Sequence, residues 1–210
     1  MYSMCIWAPC KVLFRKFYRQ LYHEWVSYGL LYDLRDAGPL RASGSDLVLR
    51  PFKTEDAEVL LTPDLVHASR SERREVITRI EHLAEDIPCC YVAEDPTEQE
   101  PVFMQWMMTA NSNDAIQRYF RGRFPRLNTG EALLENAYIP KRHRGKRVMP
   151  RAIGAVVEHA KRNDLQWLVT FVDKHNTPSL KGCLRAGFYP FAIRRDVHLC
   201  FHRIQWRMFS

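Results

Sequence analysis

The stretch Glu131 to Arg162, EALLENAYIPKRHRGKRVMPRAIGAVVEHAKR, constrains this chain most. It reads as a strand, a short basic loop with one glycine, and an amphipathic helix. Val148, Met149, Ala152, Ile153, Val156 and Ala160 give the helix one apolar stripe. Pro150 fits only because it falls in the first turn. Lys161 and Arg162 suit the C-terminal end, and Asn163 is expected as a left-handed cap. A loop that feeds a helix start presents unpaired backbone N–H groups. Lys141, Arg142, Arg144, Lys146, Arg147 and Arg151 crowd the same turn. The pattern predicts an anion site, with a solvated basic turn as the plainer alternative.

The rest of the chain alternates strands and helices. Residues 11–36 place Phe14, Phe17, Tyr18, Leu21, Tyr22, Trp25 and Tyr28 at spacings of three and four, which predicts a helix before Gly38–Pro39. That helix packs on the domain or, being basic in its first half, touches a membrane surface or a partner. Residues 41–45 read as a linker, so residues 1–45 form an N-terminal extension and 46–210 the domain. Leu47 to Phe52 reads as a strand, with Thr54 as the N-cap of the turn after it. Ser69 or Ser71 opens a helix to about Ala84, with Val76, Ile77, Ile80 and Leu83 on its buried face. Residues 89–94 and 101–108 read as strands joined by a hairpin. Residues 111–128 read as an irregular insertion, helical at its start, of a length that often carries function. Residues 166–173 form an apolar strand, buried on both faces. Thr177 is the expected N-cap of the next helix, with Pro178 first inside it and Gly187 as its stop. Two strands with a turn near Arg194–Asp196 complete an α/β chain with a mixed sheet.

The bulk numbers exclude some functions. No apolar run approaches the roughly 18–20 residues of a membrane span, and the first residues lack the basic flank of a signal peptide. The six cysteines form no CxxC pair, which disfavours a zinc ribbon or disulfide framework. Histidine spacing suggests no metal site. A cytoplasmic protein with reduced thiols is expected. The net charge of +7 favours anionic partners. The arginines lack the aromatic platform or recognition-helix pattern of a specific nucleic-acid binder.

Arg142-His-Arg-Gly145-Lys-Arg147 resembles the Q/R-x-x-G-x-G/A signature of the GCN5-related N-acetyltransferases, the GNAT superfamily. Asn176-Thr-Pro-Ser179 and the closing Gly187-Phe188 are similar to that family's second motif. Leu49 to Ala57 is similar to its first strand and turn. The resemblance covers about residues 46–210. It implies a GNAT acyl-CoA N-acyltransferase fold, here with an extra N-terminal helix, holding acetyl-CoA or another acyl-CoA between two splayed central strands. By this resemblance Arg142 belongs to the cofactor signature. The N–H groups of Arg144, Gly145, Lys146, Arg147 and Val148 would hold the pyrophosphate. The backbone of Ala137, Tyr138 and Ile139 would pair with the pantetheine arm, with Asn176 and Ser179 beside it. Arg147 departs from the family's small residue. It can donate its N–H and offer its guanidinium to a phosphate, or crowd the site.

Transfer of an acyl group to an amine needs a base for the amine and a proton for the leaving thiolate. Glu131 and Glu135 are four apart on one strand and, without a bulge, share a face. Leu134-Glu-Asn-Ala-Tyr-Ile resembles a stretch of polyamine acetyltransferases in which the Glu is the base, so Glu135 is the first candidate and Glu131 the second. Cys183 stands where the family places an acidic Tyr, with Tyr138 and Tyr189 as spare donors. A strand-edge ion pair is the bland role for either Glu, and an apolar filler for Cys183. His143 is expected to face phosphate or solvent. The expected activity is N-acetylation of a small-molecule primary amine, for which the arginines and aromatics of 111–128 suggest an anionic or ring-bearing acceptor. A binding module of the same fold without turnover is the alternative. Nothing in the sequence sets the oligomeric state.

Overall fold

β5 (Glu131–Tyr138) and β6 (Trp167–Asp173) run parallel and pair only from Glu131 to Leu134 and from Trp167 to Thr170. Past Leu134 and Thr170 the pairing ends, and a cavity lined by both strands lies there. The computed structural model describes residues 22–35, 46–66, 68–85, 87, 89–199 and 202–209.

The remaining strands are β1 (Tyr22–Asp33), β2 (Val48–Pro51), β3 (Cys90–Asp95), β4 (Glu100–Thr109), β7 (Tyr189–Leu199) and β8 (His202–Phe209). They form one sheet in the order β2-β3-β4-β5-β6-β1-β7-β8. Every neighbouring pair except β5–β6 is antiparallel. The helices are α1 (Asp56–Leu60), α2 (Pro63–Val66), α3 (Arg70–Ala84), α4 (Asn113–Tyr119), α5 (Val148–Arg162) and α6 (Thr177–Ala186). This is the mixed α/β architecture expected.

Two apolar cores form, one on each face of the sheet. Ala152, Val156 and Val157 of α5 meet Leu134, Leu168 and Phe103 in one. In the other, Leu60, Val76 and Ile116 meet Trp106, Met108 and Leu133. Each fully buried Leu, Val or Met contributes about 1.5–3 kcal/mol, so the sheet is held from both sides.

The helix expected over residues 11–36 is corrected where the structure describes it. Residues 22–33 form β1, inserted between β6 and β7; residues 11–21 lie outside the described residues. Apolar and aromatic residues there are so dense that they satisfy a period of 3.6 and a strand buried on both faces alike. Gly29 decides for the strand. A Cβ on it would lie 3.1 Å from side-chain atoms of Ala192, Phe171 and Phe191, a close approach typical of glycine in a sheet. The membrane-surface reading rested on that helix, and its second half is committed to the sheet. Leu30, Tyr32 and Leu34, from before residue 46, are buried in the same core as α5.

Smaller expectations also shift. Glu55, not Thr54, is the N-cap of α1. Ser69 caps α3 through a reciprocal capping box with Glu72. On α3 the inward residues are Val76, Arg79 and His82, while Ile77 and Ile80 are 41% and 42% exposed. The left-handed residue after α5 is Asp164 rather than Asn163. Asn176 rather than Thr177 caps α6. Arg194 and Asp196 lie inside β7 instead of at a turn and are buried, with Arg194 Nε 3.3 Å from Asp196. Charges read as a turn in sequence because unpaired charges do not sit in a core; here they are paired.

Candidate active site

The central feature is a kink in β5. Glu135 faces Trp106 across the ladder and Tyr138 faces Met104, so Asn136 and Ala137 together oppose Gln105. The extra residue is a β-bulge, and Asn136 absorbs it with a left-handed φ of 57°. The buried Arg79 of α3 donates from Nη2 to the Ala137 carbonyl at 2.7 Å. Its guanidinium also stacks over the Tyr138 ring, 4.5 Å from the centroid. Burial brings the Arg79 pKa down to about 10, with Glu75 pulling it back up, so it stays charged at neutral pH.

Glu131 and Glu135 both precede the bulge and keep the common face that their spacing predicts, but the structure does not bring them together. Glu131 sits at the strand's start, where its carboxylate accepts from the Asn128 N–H at 2.8 Å and the Asn128 amide at 3.1 Å. It lines none of the cavities around Glu135. Glu135 stands between two of them. A cavity of about 200 Å³ is lined by Glu135, Gln105, Asn176 and Cys183. A second, of about 300 Å³, is lined by Glu135, His82, Tyr119, Arg121 and Arg123. Burial raises the Glu135 pKa to about 7, against the pull of Arg194, Arg123 and Arg79. The Cys183 thiol is pushed up to about 11 by burial, with the Ser179 hydrogen bond opposing. At neutral pH it is a protonated thiol facing the same cavity as Glu135.

The first cavity shares Ala137, Met149, Asn176 and Ser179 with a larger one of about 730 Å³, which reaches the basic loop and is also lined by Ile139, Gly145 and Arg147. Asn176 Oδ1 accepts from the Ser179 N–H at 3.2 Å, which caps α6 and fixes the asparagine at the rim. Gly145 has a φ of 81°, and a Cβ on it would meet nothing within 4 Å. Arg147 is left-handed too, with a φ of 58°. Such alternation turns successive N–H groups toward one concavity. Two of the five expected amides are engaged: Arg144 donates to Lys141 O at 3.2 Å and Lys146 to His143 O at 3.4 Å. Those of Gly145, Arg147 and Val148 have no partner among the described residues.

The six cations of this turn divide in the same way. Lys141 pairs with Glu72, Arg142 with Glu100, Arg144 with Glu75, and Arg151 with Asp46 and Asp95. Lys146 and Arg147 have no ion pair among the described residues, and Arg185 adds a cation to the cavity wall. His143 lines that cavity but does not face solvent: it is 3% exposed, with Nε2 3.0 Å from Glu100 and Nδ1 3.7 Å from Glu98. Arg142 shares that Glu100 at 3.3 Å. The spare donors separate as well. Tyr138 donates its hydroxyl to Asp64, which together with burial pushes its pKa up; Tyr189 is 46% exposed.

Sequence reasoning missed Arg79, His82 and Gln105. Arg79 and His82 continue the three-residue spacing from Val76, a signal that is lost when only apolar residues are counted toward a buried face. Gln105 lies amid the apolar run of β4, and it was the bulge that made its position matter.

Comparison with known proteins follows the same lines. Residues 46–189 match the family model of the acetyltransferase (GNAT) domain. A search of the curated proteins finds no match. Among solved structures, a GCN5-related N-acetyltransferase from Sphaerobacter thermophilus is 15% identical with a TM-score of 0.50, over 97% of this chain and 59% of its own. A GNAT-family acetyltransferase from Colwellia psychrerythraea is 13% identical with a TM-score of 0.52, over 100% of this chain and 76% of its own. A conserved protein of unknown function from Staphylococcus epidermidis is 10% identical with a TM-score of 0.57, over 93% and 68%. The chain thus spans less than two thirds of the Sphaerobacter protein's length, and at these identities the likeness is one of fold. No helix among the described residues is long and apolar enough to cross a membrane. With the family model covering most of its length and the splayed parallel strands, bulge and basic loop all present, the chain belongs to the GNAT acetyltransferase family.

Proposed function

We propose that this protein transfers an acetyl or other acyl group from acyl-CoA to the primary amine of a small molecule, by direct attack with Glu135 as general base. The observation that carries the reading is the place of Glu135, which lines both a cavity that shares Ala137, Asn176 and Ser179 with the one at the basic loop and a second cavity beside Arg121 and Arg123.

Acyl-CoA supplies an activated thioester. The residues present fit it. Gly145, Arg147 and Val148 offer to a diphosphate amides that have no partner among the described residues, beside Lys146 and Arg147, which have no ion pair among them. The open space at Gly145 permits close approach to the backbone. Ala137 and Ile139 line the wall that leads from there to Glu135, with Asn176 and Ser179 opposite. Glu135, with its pKa near 7, is partly ionised at neutral pH and takes a proton from the incoming ammonium, directly or through one water. Cys183 holds a proton at the same cavity and serves as donor to the departing thiolate. A cytoplasmic setting belongs to this reading.

The test is a thioester-consumption assay over amine classes, run beside calorimetry with acetyl-CoA. Saturable binding plus turnover that Glu135→Gln lowers by about 10²–10⁴ is the expected result. Binding without turnover on any amine would favour the alternative, an acyl-CoA-binding module. No heat at millimolar acetyl-CoA would remove both.

A further inference from the structure

The cavity on the far side of Glu135 carries a second chemical signature. His82 is 6% exposed, and its ring packs among Trp106, Tyr119 and Phe120, with centroids at 5.2, 4.8 and 5.5 Å. Its Nδ1 lies 2.7 Å from the Thr78 carbonyl, which can only accept, so Nδ1 carries the proton. Tyr119 Oη sits 3.1 Å from the same nitrogen. Nε2 of the neutral ring is then a lone-pair acceptor, and it is buried without a hydrogen-bond partner among the described residues. An acceptor left so in a folded protein costs about 1–3 kcal/mol and calls for a donor. His82 and Glu135, two acceptors, line one cavity of about 300 Å³, at the small end of the range for ligand sites. The same cavity is lined by Arg121 and Arg123. Arg123 lies 3.5 Å from Asp196, a long ion pair, and Arg121 is exposed with no ion pair among the described residues. Acceptors and guanidinium donors lining one cavity define a ligand that has an amine and an anion.

We propose that this cavity receives the acyl acceptor, that the acceptor is a small amino carboxylate, and that His82 Nε2 takes a hydrogen bond from its amine while Arg121 and Arg123 meet its carboxylate. The inference rests on the transferase reading above and narrows its substrate class. A polyamine is disfavoured because, among the described residues, Glu135 is the only carboxylate lining the cavity, and two arginines would repel a second ammonium.

The experiment uses the full chain with acetyl-CoA and matched probes: small α- and β-amino acids, their carboxamides, and diamines of equal length. Turnover is followed by thioester consumption, and binding by thermal shift of the chain with each amine. The expected result is at least a tenfold higher kcat/KM for amino acids than for their carboxamides. In Arg121→Ala/Arg123→Ala that preference falls toward one. In His82→Phe the KM for the amine rises about tenfold while that for acetyl-CoA holds, and His82→Gln, which restores an acceptor, recovers most of it. Equal use of acids and carboxamides, or preference for diamines, would overturn the inference and leave the transferase intact. If no amine turns over, the thermal-shift arm decides. Stabilisation by amino acids over carboxamides, lost in the double arginine variant, supports the carboxylate site, and its absence overturns it. Failure of acetyl-CoA itself to bind marks the failure of the broader reading.

Discussion

The Arg79 guanidinium donates to the carbonyl of Ala137 across 2.7 Å, from the inner face of α3 to the bulge of β5. One hydrogen bond thereby ties the helix that carries His82 to the strand that carries Glu135. In Arg79→Met the carbonyl loses this partner, and the loss of a buried charge-assisted hydrogen bond costs about 1.5–3 kcal/mol. We expect a lower melting temperature and a several-fold rise in the KM for acetyl-CoA, because the bulge shapes the wall shared by the two cavities. Calorimetric melting and steady-state kinetics check both. An unchanged KM with a lowered melting temperature would confine Arg79 to a structural role.

Glu135 predicts two pH dependences of opposite sense. As a base it acts ionised, so kcat/KM should rise with pH through about 7. Glu135→Gln should remove that limb and lower kcat by about 10²–10⁴. For stability the sign is reversed. The folded pKa of about 7 lies above the unfolded reference of about 4.3. The folded state therefore holds the proton more tightly, and this group's contribution, full at low pH, is lost as pH rises from about 4 through 7. Glu135→Gln should gain about 1–3 kcal/mol relative to wild type at pH 8 compared with pH 5. Thermal melts of both proteins at the two pH values read the difference; equal shifts at both would contradict the burial of this carboxyl.

Arg147 combines a left-handed backbone with a guanidinium that has no ion pair among the described residues. A non-glycine residue in the left-handed region costs about 1 kcal/mol relative to glycine. Arg147→Gly should thus hold or raise the melting temperature while weakening acetyl-CoA binding several-fold. Arg147→Ala keeps the strain and loses the charge, so it should weaken binding without the gain in stability. Wild-type binding should fall with added salt more steeply than that of either variant, because one fewer cation faces the diphosphate. Titration calorimetry at two ionic strengths measures the slopes. Tighter binding in Arg147→Gly would mean that the arginine crowds the site.

Much of this architecture was legible in the chain because local and tertiary demands agreed. The anion-binding turn was readable since glycine, cations and an apolar helical stripe fall in one short segment. What could not be read was which cations are free. Arg142, Arg144 and Arg151 find carboxylates far away in sequence, on β4, on α3 and just before β2. Likewise Glu135 and His82 are far apart in the chain, and only the sheet and α3 together set both on one cavity. The failures share one cause. β1, Arg79, His82, Arg194 and Asp196 are all set by burial on faces that local periodicity does not define.

β1 offers the sharpest test of how the domain is bounded. The family match begins at residue 46, yet the sheet between β6 and β7 is completed by residues 22–33. A chain starting at Asp46 lacks Leu30, Tyr32 and Leu34, all in the main core. At about 1.5–3 kcal/mol each, their loss approaches the 5–15 kcal/mol that holds a whole domain together. It also leaves the edges of β6 and β7 unpaired. We expect the shortened chain to lose cooperative melting and to aggregate. In the full chain, Gly29→Val should destabilise strongly, because its side chain would press on Phe171, Phe191 and Ala192. Circular dichroism melts and size-exclusion chromatography measure both variants. A cooperative, monomeric fragment 46–210 would show that another strand can take the place of β1.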